Sequence, residues 1–396
     1  MRFLVLAAIL CTTLAAVEPA VWPRYNGPSG DGWSPAKGLK LDWAKQAPKE
    51  MWRATLTDKG YAGPSSDGKA VYIIDHQGDQ DIVRAFDLEK GGELWRFAYA
   101  DNPKDNYGYA RATPAIADGR VYTLGRLGQL HCLDAKTGAT VWNVDIAKTF
   151  KGKAPQWQYS ASPIIVGKLL IVAPGGADAS VAALDPATGK TVWTGGGSDK
   201  PGYATPVVHD QEMALMTGER LLVLEVASGK TMWSHPWKTK YDVNSAAPLL
   251  TDAGYFVTSG YGTGCVMVAR DGSGGKEVWK NTLIQSHMNS PILHEGSIYG
   301  TSDPNALVCL DAKTGAERWR QKGFGKGALM AVDGHLIATE DKSGETAVIR
   351  LDAKAYQEVG RLKPFSEKGD YWTQPVLAAG RLLLRSKTAL VCYDLR

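Results

Sequence analysis

Cysteine, clustered histidine and charge of one sign are all scarce in this chain of 396 residues. Its 45 Lys and Arg against 41 Asp and Glu leave a net charge of only +4. No long basic run is present, so the electrostatic footprint of a nucleic-acid binder is missing. Of the 5 cysteines, no two are adjacent. Cys132, Cys309 and Cys392 occupy one place in a repeat, as Leu-His-Cys-Leu-Asp, Leu-Val-Cys-Leu-Asp and Leu-Val-Cys-Tyr-Asp. Equivalent places in non-adjacent repeats are too far apart to bridge. With the solitary Cys265, they are predicted to be small buried apolar residues. The 7 histidines lack metal-ligand spacing, and no Gly-x-Ser-x-Gly elbow supports hydrolase chemistry. No glycine cluster lies between a strand and a helix, which excludes a phosphate loop. Asp79-Gln80-Asp81 and the stretch 101–105 lack the spacing of a calcium loop and are read as solvated turns. No apolar run reaches the ~20 residues of a membrane span. Residues 3–10 are a shorter apolar run after a basic start, and small residues follow, the layout of a signal peptide over 1–16. The residue before Cys11 is Leu10, where a lipobox has a small residue, so a soluble product in the periplasm or outside the cell is predicted.

What the chain has is glycine, 44 of them, and 13 tryptophans. One line recurs: Asp, three residues, Gly, three residues, Trp. It reads Asp87–Gly91–Trp95, Asp134–Gly138–Trp142, Asp185–Gly189–Trp193, Asp271–Gly275–Trp279 and Asp311–Gly315–Trp319, with Glu225–Gly229–Trp233 as a variant. The Asp carboxylate can accept backbone N–H groups just ahead and tighten a turn. Glycine supplies the positive φ that closes a short hairpin. The tryptophan then sits on the returning strand, where its ring covers the next repeat and its N–H reaches a backbone partner.

Upstream of each line a proline opens a strand: Pro64, Pro114, Pro163, Pro206, Pro248, Pro291 and, last, Pro375. A turn and an apolar strand follow, then a strand ending at the Asp and one carrying the Trp. Four short antiparallel strands per ~40–50 residues mark a propeller blade. The strand-opening segments near Tyr61, Tyr109, Tyr159, Tyr203, Asn244, His287, Lys326 and Tyr371 predict an all-β, eight-bladed propeller over 48–396. The seventh repeat is degenerate, with Tyr356 in the glycine place and Gly360 in the tryptophan place, and the weakest packing is expected there. The eighth stops three strands in. A lone Trp strand around Trp52 is predicted to pair with it and close the ring, removing the exposed edges. Residues 17–47, rich in Pro, Gly and Trp, are expected to form an extended arm along the propeller surface.

These residues resemble the pyrroloquinoline-quinone (PQQ)-like propeller repeat, whose tryptophan-docking motif has this form; Lys136-Thr137-Gly138, Ala187-Thr188-Gly189 and Lys313-Thr314-Gly315 match it closely. The resemblance covers 48–396, and the leader around Trp22-Pro23-Arg24-Tyr25-Asn26-Gly27 is similar to that of exported bacterial members. The family contains quinoprotein dehydrogenases and non-enzymatic relatives such as BamB, the propeller subunit of the outer-membrane β-barrel assembly machine. It fixes a fold but not a function. A dehydrogenase would place PQQ at the channel mouth on a Trp, with a vicinal disulfide, a Ca²⁺ held by Glu, Asn and Asp, and an Asp base. No Cys-Cys pair and no assignable carboxylate set is present, so no catalytic or metal residue and no cofactor is assigned; PQQ with Ca²⁺ belongs to the alternative of an alcohol or sugar dehydrogenase.

The leading expectation is a non-catalytic binding or scaffolding module acting through one face of the ring. Rings gather in the strand-opening segments: Tyr61, Tyr109, Tyr159, Tyr203, Tyr371 and Trp372. Polar groups accompany them: Arg111, Asn244, His287, Asn289, Lys326 and Gln374. Aromatic faces with a few convergent polar groups suit a carbohydrate, a small planar ligand or a protein of the envelope or exterior. The same rings could instead pack between blades and close the channel. A monomer is expected.

Overall fold

The tryptophan line dictates the architecture. The computed structural model describes residues 20–57, 60–101 and 108–396; the signal peptide expected over 1–16 lies outside them. These residues form antiparallel four-stranded meanders arranged as the blades of a β-propeller. Blade 1 runs Ser65–Ser66, Ala70–Gln77, Gln80–Asp87 and Glu93–Ala100. Blades 2 to 7 span 115–145, 164–195, 207–236, 249–281, 292–322 and 329–362. Blades 4 and 5 touch through one parallel bridge, Ser234 to Gly274. Blade 8 takes Val376–Ala378, Arg381–Arg385 and Ala389–Asp394 from one end of the chain and Lys49–Thr55 from the other. The pairing is antiparallel, from Lys49 with Asp394 to Thr55 with Ala389. Each of the seven strand-opening prolines immediately precedes the innermost strand of its blade, where its missing N–H costs no ladder bond.

The repeat works as its chemistry predicts. Asp134 Oδ1 accepts from the N–H groups of Lys136 and Thr137 at 3.1 and 2.8 Å, and Asp185 and Asp311 repeat the arrangement. Gly138 closes the turn at φ +74°. Each tryptophan ring then lies on the glycine of the following blade: Trp52 on Gly91, Trp95 on Gly138, Trp142 on Gly189, Trp193 on Gly229, Trp233 on Gly275 and Trp279 on Gly315. A Cβ at Gly91 would sit 2.4 Å from the Trp52 ring. The indole N–H of Trp52, Trp95, Trp142 and Trp279 donates at 2.8–3.0 Å to the carbonyl just after the next blade's Asp, at Leu88, Ala135, Pro186 and Ala312. Trp319 donates to Asp352 at 2.8 Å. Gly275 departs from the expectation: its hairpin turns at Gly272, φ +60°, and Gly275 leaves room for Val268, His235 and the Trp233 ring, the nearest at 2.5 Å from where a Cβ would lie. The four described cysteines are buried and free, as predicted.

Every blade carries one irregularity that the sequence reading did not include. The outermost strand bulges at the residue before the tryptophan place, so Met51, Leu94, Val141, Val192, Met232, Val278, Arg318 and Val359 are skipped in the register. A bulge on an edge strand interrupts the row of groups another strand could pair with.

The arm divides: residues 20–34 enter the central channel, whereas residues 38–44 run along the surface of blades 7 and 8. Ala20 O accepts from Ala379 N, Trp22 exchanges two backbone bonds with Ser66, and Pro23 O accepts from Ile116 N. Trp33–Ser34 then adds to Leu329–Val332 in parallel, and Trp33 Nε1 donates to Leu293 O at 3.0 Å. These partners are innermost strands, so an apolar, glycine-rich segment covers backbone edges that would otherwise line an open bore. The arm also repairs blade 7. Leu395 is the blade 8 counterpart of Leu88, since Leu395 N donates to Gly380 O as Leu88 N does to Lys69 O. Its carbonyl has no docking indole because Gly360 stands in the tryptophan place; Lys40 N donates to it instead, at 2.7 Å. Trp43, 4% exposed, packs on Gly360, where a Cβ would lie 2.6 Å from Trp43 Cβ. The expected weak point is filled from the arm.

Candidate functional site

Strand-opening segments are extended, so alternate side chains point to opposite sides. Counting back from the proline fixes which side. The residues three before it are Tyr61, Arg111, Ser160, Tyr203, Ser245, Met288 and Trp372, and all seven line one cavity of about 200 Å³ at the channel mouth. Gly63, Thr113, Ser162, Thr205 and Gln374, one before the proline, line it too. The residues four before it, Tyr159, Asn244, His287 and Tyr371, turn away and are buried. Trp157, Val243, Tyr261, Asn289 and Thr373 complete the wall, and Tyr25 of the arm adds a ring from within the channel. Tyr25 and Ser290 are joined through their hydroxyls at 3.3 Å; Gln374 bonds both Asn26 N and Asn26 Oδ1, pinning the arm beneath the mouth.

Of the twelve residues predicted for the mouth, the structure therefore gathers Tyr61, Arg111, Tyr203, Asn289, Trp372 and Gln374 around the cavity. The other six have different places. Tyr159 donates its hydroxyl to Pro174 O at 2.9 Å. Asn244 donates to Thr217 O at 2.8 Å and accepts from Ser259 Oγ at 2.9 Å. His287 meets Tyr261 edge-on, Tyr371 stacks on Phe365, and Lys326 offers its carbonyl to Asn289 Nδ2 at 3.3 Å. Tyr109 stacks on His76 with ring centroids 3.5 Å apart. Trp157, Tyr261, Tyr25 and the hydroxyl residues were missed. The hydroxyls had a usable signal, since Ser or Thr before the proline recurs: Ser162 Oγ accepts from Thr113 N, Thr205 Oγ1 from Ser162 N and Ser290 Oγ from Ala247 N, each at 2.9–3.0 Å, linking neighbouring blades.

Among the described residues the lining contains one charged residue, Arg111, which donates to the carbonyls of Trp157 and Gly108. Burial pushes the Tyr61 and Tyr203 phenols up to about 12, so both stay neutral. A PQQ and Ca²⁺ site does not fit these residues. No Asp or Glu is among the described lining residues, whereas Ca²⁺ takes oxygen ligands that include carboxylates. The four described cysteines lie on the third strands of blades 2, 5, 6 and 8, each buried and unpaired.

A second polar cluster lies between blades 1 and 2, and it corrects the reading of Asp81 and Asp101 as parts of solvated turns, since both are buried; Asp79 and Gln80 are exposed as expected, and residues 102–105 lie outside the described residues. His76 Nδ1 meets Asp81 Oδ1 at 2.9 Å and Nε2 meets Gly78 O at 2.6 Å. Both partners are acceptors, so the ring carries both protons. Burial opposes that charge, but the bonds to Asp81 and Gly78 and the nearby Asp101 outweigh it and raise the His76 pKa. Arg126 Nε donates to Asp101 Oδ2 at 2.9 Å. Burial and the Asp81 charge push the Asp101 carboxyl up to about 6. The ligand atoms of His76, Asp81 and Asp101 fall within 4.8 Å of one another, as a metal site requires. Two cationic side chains already balance the two carboxylates.

His131, beside the Tyr99 and Phe97 rings, behaves oppositely: burial lowers it to about 4. Its neutral form stabilises the fold above the ordinary value of 6.5, and that contribution is lost as pH falls toward 4. At pH 4.5 the loss is about 2–3 kcal/mol relative to pH 7.5. Urea midpoints of the protein and of His131→Asn should converge by that amount between the two pH values; parallel midpoints would remove His131 as the cause.

The fold and its docking tryptophans define a PQQ-like repeat propeller. The chain belongs to the family described as outer membrane protein assembly factor BamB, whose profile matches residues 78–321 and 298–363. Among curated proteins, BamB of Yersinia pestis is 23% identical over 66% of this chain and 66% of its own length. The chain thus spans just under two thirds of that relative. A 1-butanol dehydrogenase (quinone) of Thauera butanivorans is 25% identical over 58% of this chain but only 32% of its own length. Among solved structures, BamB from Moraxella catarrhalis aligns with a TM-score of 0.63 at 17% identity over 88% of this chain and 98% of its own. The quinohemoprotein alcohol dehydrogenase of Comamonas testosteroni aligns at 0.69 and 12% identity, over 97% and 81%. No helix among the described residues is long and apolar enough to cross a membrane.

Proposed function

We propose that this protein is an exported, non-catalytic scaffold that binds a component of the outer-membrane protein assembly machinery through the mouth face of its ring. The observation carrying this reading is the mouth itself: aromatic and hydroxyl-lined, with one cation and no carboxylate among the described residues. Such a surface can recognise a partner but offers neither an acid–base pair nor a hard-cation site. Family membership supports the assembly role, as does the printed function of the BamB relatives.

Replacing Arg111 and Trp372 together by Ala should abolish co-purification with the assembly machinery, leave the far-ultraviolet spectrum unchanged, and fail to restore outer-membrane protein levels in a strain lacking the gene. Full complementation by the double variant would remove the mouth from the reading. The dehydrogenase alternative draws support from the quinoprotein relatives. Dye-linked alcohol or sugar oxidation after reconstitution with PQQ and Ca²⁺ would favour it over the scaffold.

A further inference from the structure

The mouth cavity is lined by hydroxyl and amide groups. Ser162 Oγ, Thr205 Oγ1 and Tyr203 Oη each accept a backbone N–H, from Thr113, Ser162 and Trp157 respectively. Each oxygen keeps a second lone pair as well as its own proton, so each can both accept and donate. The Trp372 ring is held by stacking on Tyr61 at 4.9 Å. Asn289 spends both amide hydrogens on Lys326 O and Trp372 O, which leaves its carbonyl oxygen as an acceptor. The site thus offers groups that donate and accept, spaced around a well with aromatic walls.

The rim continues the pattern outward. Tyr241 and Tyr261 are 49% and 39% exposed, and their rings meet edge-to-face at 5.6 Å. Both are held at positive φ, +65° and +57°, a conformation unfavourable for tyrosine and common where backbone strain serves a site. Trp157 touches Tyr241 at 5.9 Å, so an aromatic shelf runs from inside the well to solvent.

We propose that the mouth binds the end of a neutral glycan, with the terminal ring in the well and the next ring against Tyr241 and Tyr261. This rests on the reading of the mouth as the binding face. A pyranose carries an apolar C–H face for the rings and a girdle of hydroxyls that both accept and donate. Among the described lining residues an anionic ring ligand would be met by one cation, and Arg111 already donates to two carbonyls.

The test is calorimetric titration of the full chain with chitotriose, maltotriose and cellotriose, and with mellitate as an anionic ring. Saturable binding of at least one trisaccharide is expected. Trp372→Ala removes the inner aromatic wall; it should weaken that binding about three- to tenfold. Tyr241→Ala, at the exposed rim, should weaken it without changing the thermal midpoint. Binding of mellitate alone, or trisaccharide binding indifferent to both variants, overturns the proposal. Absence of trisaccharide binding also overturns it. If the Arg111 and Trp372 double variant still loses the assembly machinery in that case, the binding face stands and only the glycan falls.

Discussion

Deletion of residues 45–56 is expected to yield protein that aggregates and shows no cooperative thermal transition. Lys49–Thr55 is the fourth strand of blade 8, paired from Asp394 to Ala389. Without it, Ala389–Asp394 becomes an open edge, and five of its six residues are buried in the intact ring. An exposed apolar edge is a template for pairing with another copy. The deletion also removes the Trp52 indole from Leu88 O and its ring from Gly91, so the join between blades 8 and 1 is lost along with the strand. Size-exclusion chromatography and circular dichroism measure both effects, and a monodisperse variant with native melting would contradict the closure. Trp52→Ala is the milder form: it leaves the backbone pairing and is expected to cost about 3–5 kcal/mol, read from the urea midpoint.

Trp43→Ala should destabilise the protein by a similar amount, about 3–5 kcal/mol for a buried tryptophan, although the residue lies in a segment with no strand of its own. Trp43 fills the place that Gly360 leaves empty, and the neighbouring Lys40 N bonds the carbonyl a docking indole would take. Gly360→Ala should release the same segment by collision, because the new Cβ would lie 2.5 Å from Ala44 N. Both variants should make the arm a site of early cleavage in limited proteolysis. An arm as resistant as in the unaltered protein would show that Trp43 does not anchor it.

The ring was legible because its instructions are local. Asp134, Gly138 and Trp142 fall within nine residues, and each acts on a turn or on the adjacent blade. The arm was not legible for the opposite reason. Nothing around Trp22 or Trp43 states that the partners are Ser66 and Gly360, which become neighbours only once the ring exists. The mouth was half legible. Grouping the segments by their tyrosines mixed two sides of an extended chain, putting Tyr159 and Tyr371 with Tyr61 and Tyr203. Counting from the proline separates them, since a shift of one residue moves a side chain to the other side. The burial of Asp81 and Asp101 could not be read at all, because their counter-charges come from elsewhere, His76 from the neighbouring strand and Arg126 from a turn of blade 2.

The closing strand carries a consequence for how the molecule is made. Lys49 is synthesised 345 residues before its partner Asp394. Contacts so distant in sequence form slowly, and no order of synthesis or export can complete the wheel before the final strand emerges. Until then the chain holds its earliest apolar segment, Trp52 included, without a place to dock. A stretch that must wait that long is the natural substrate of a holding chaperone.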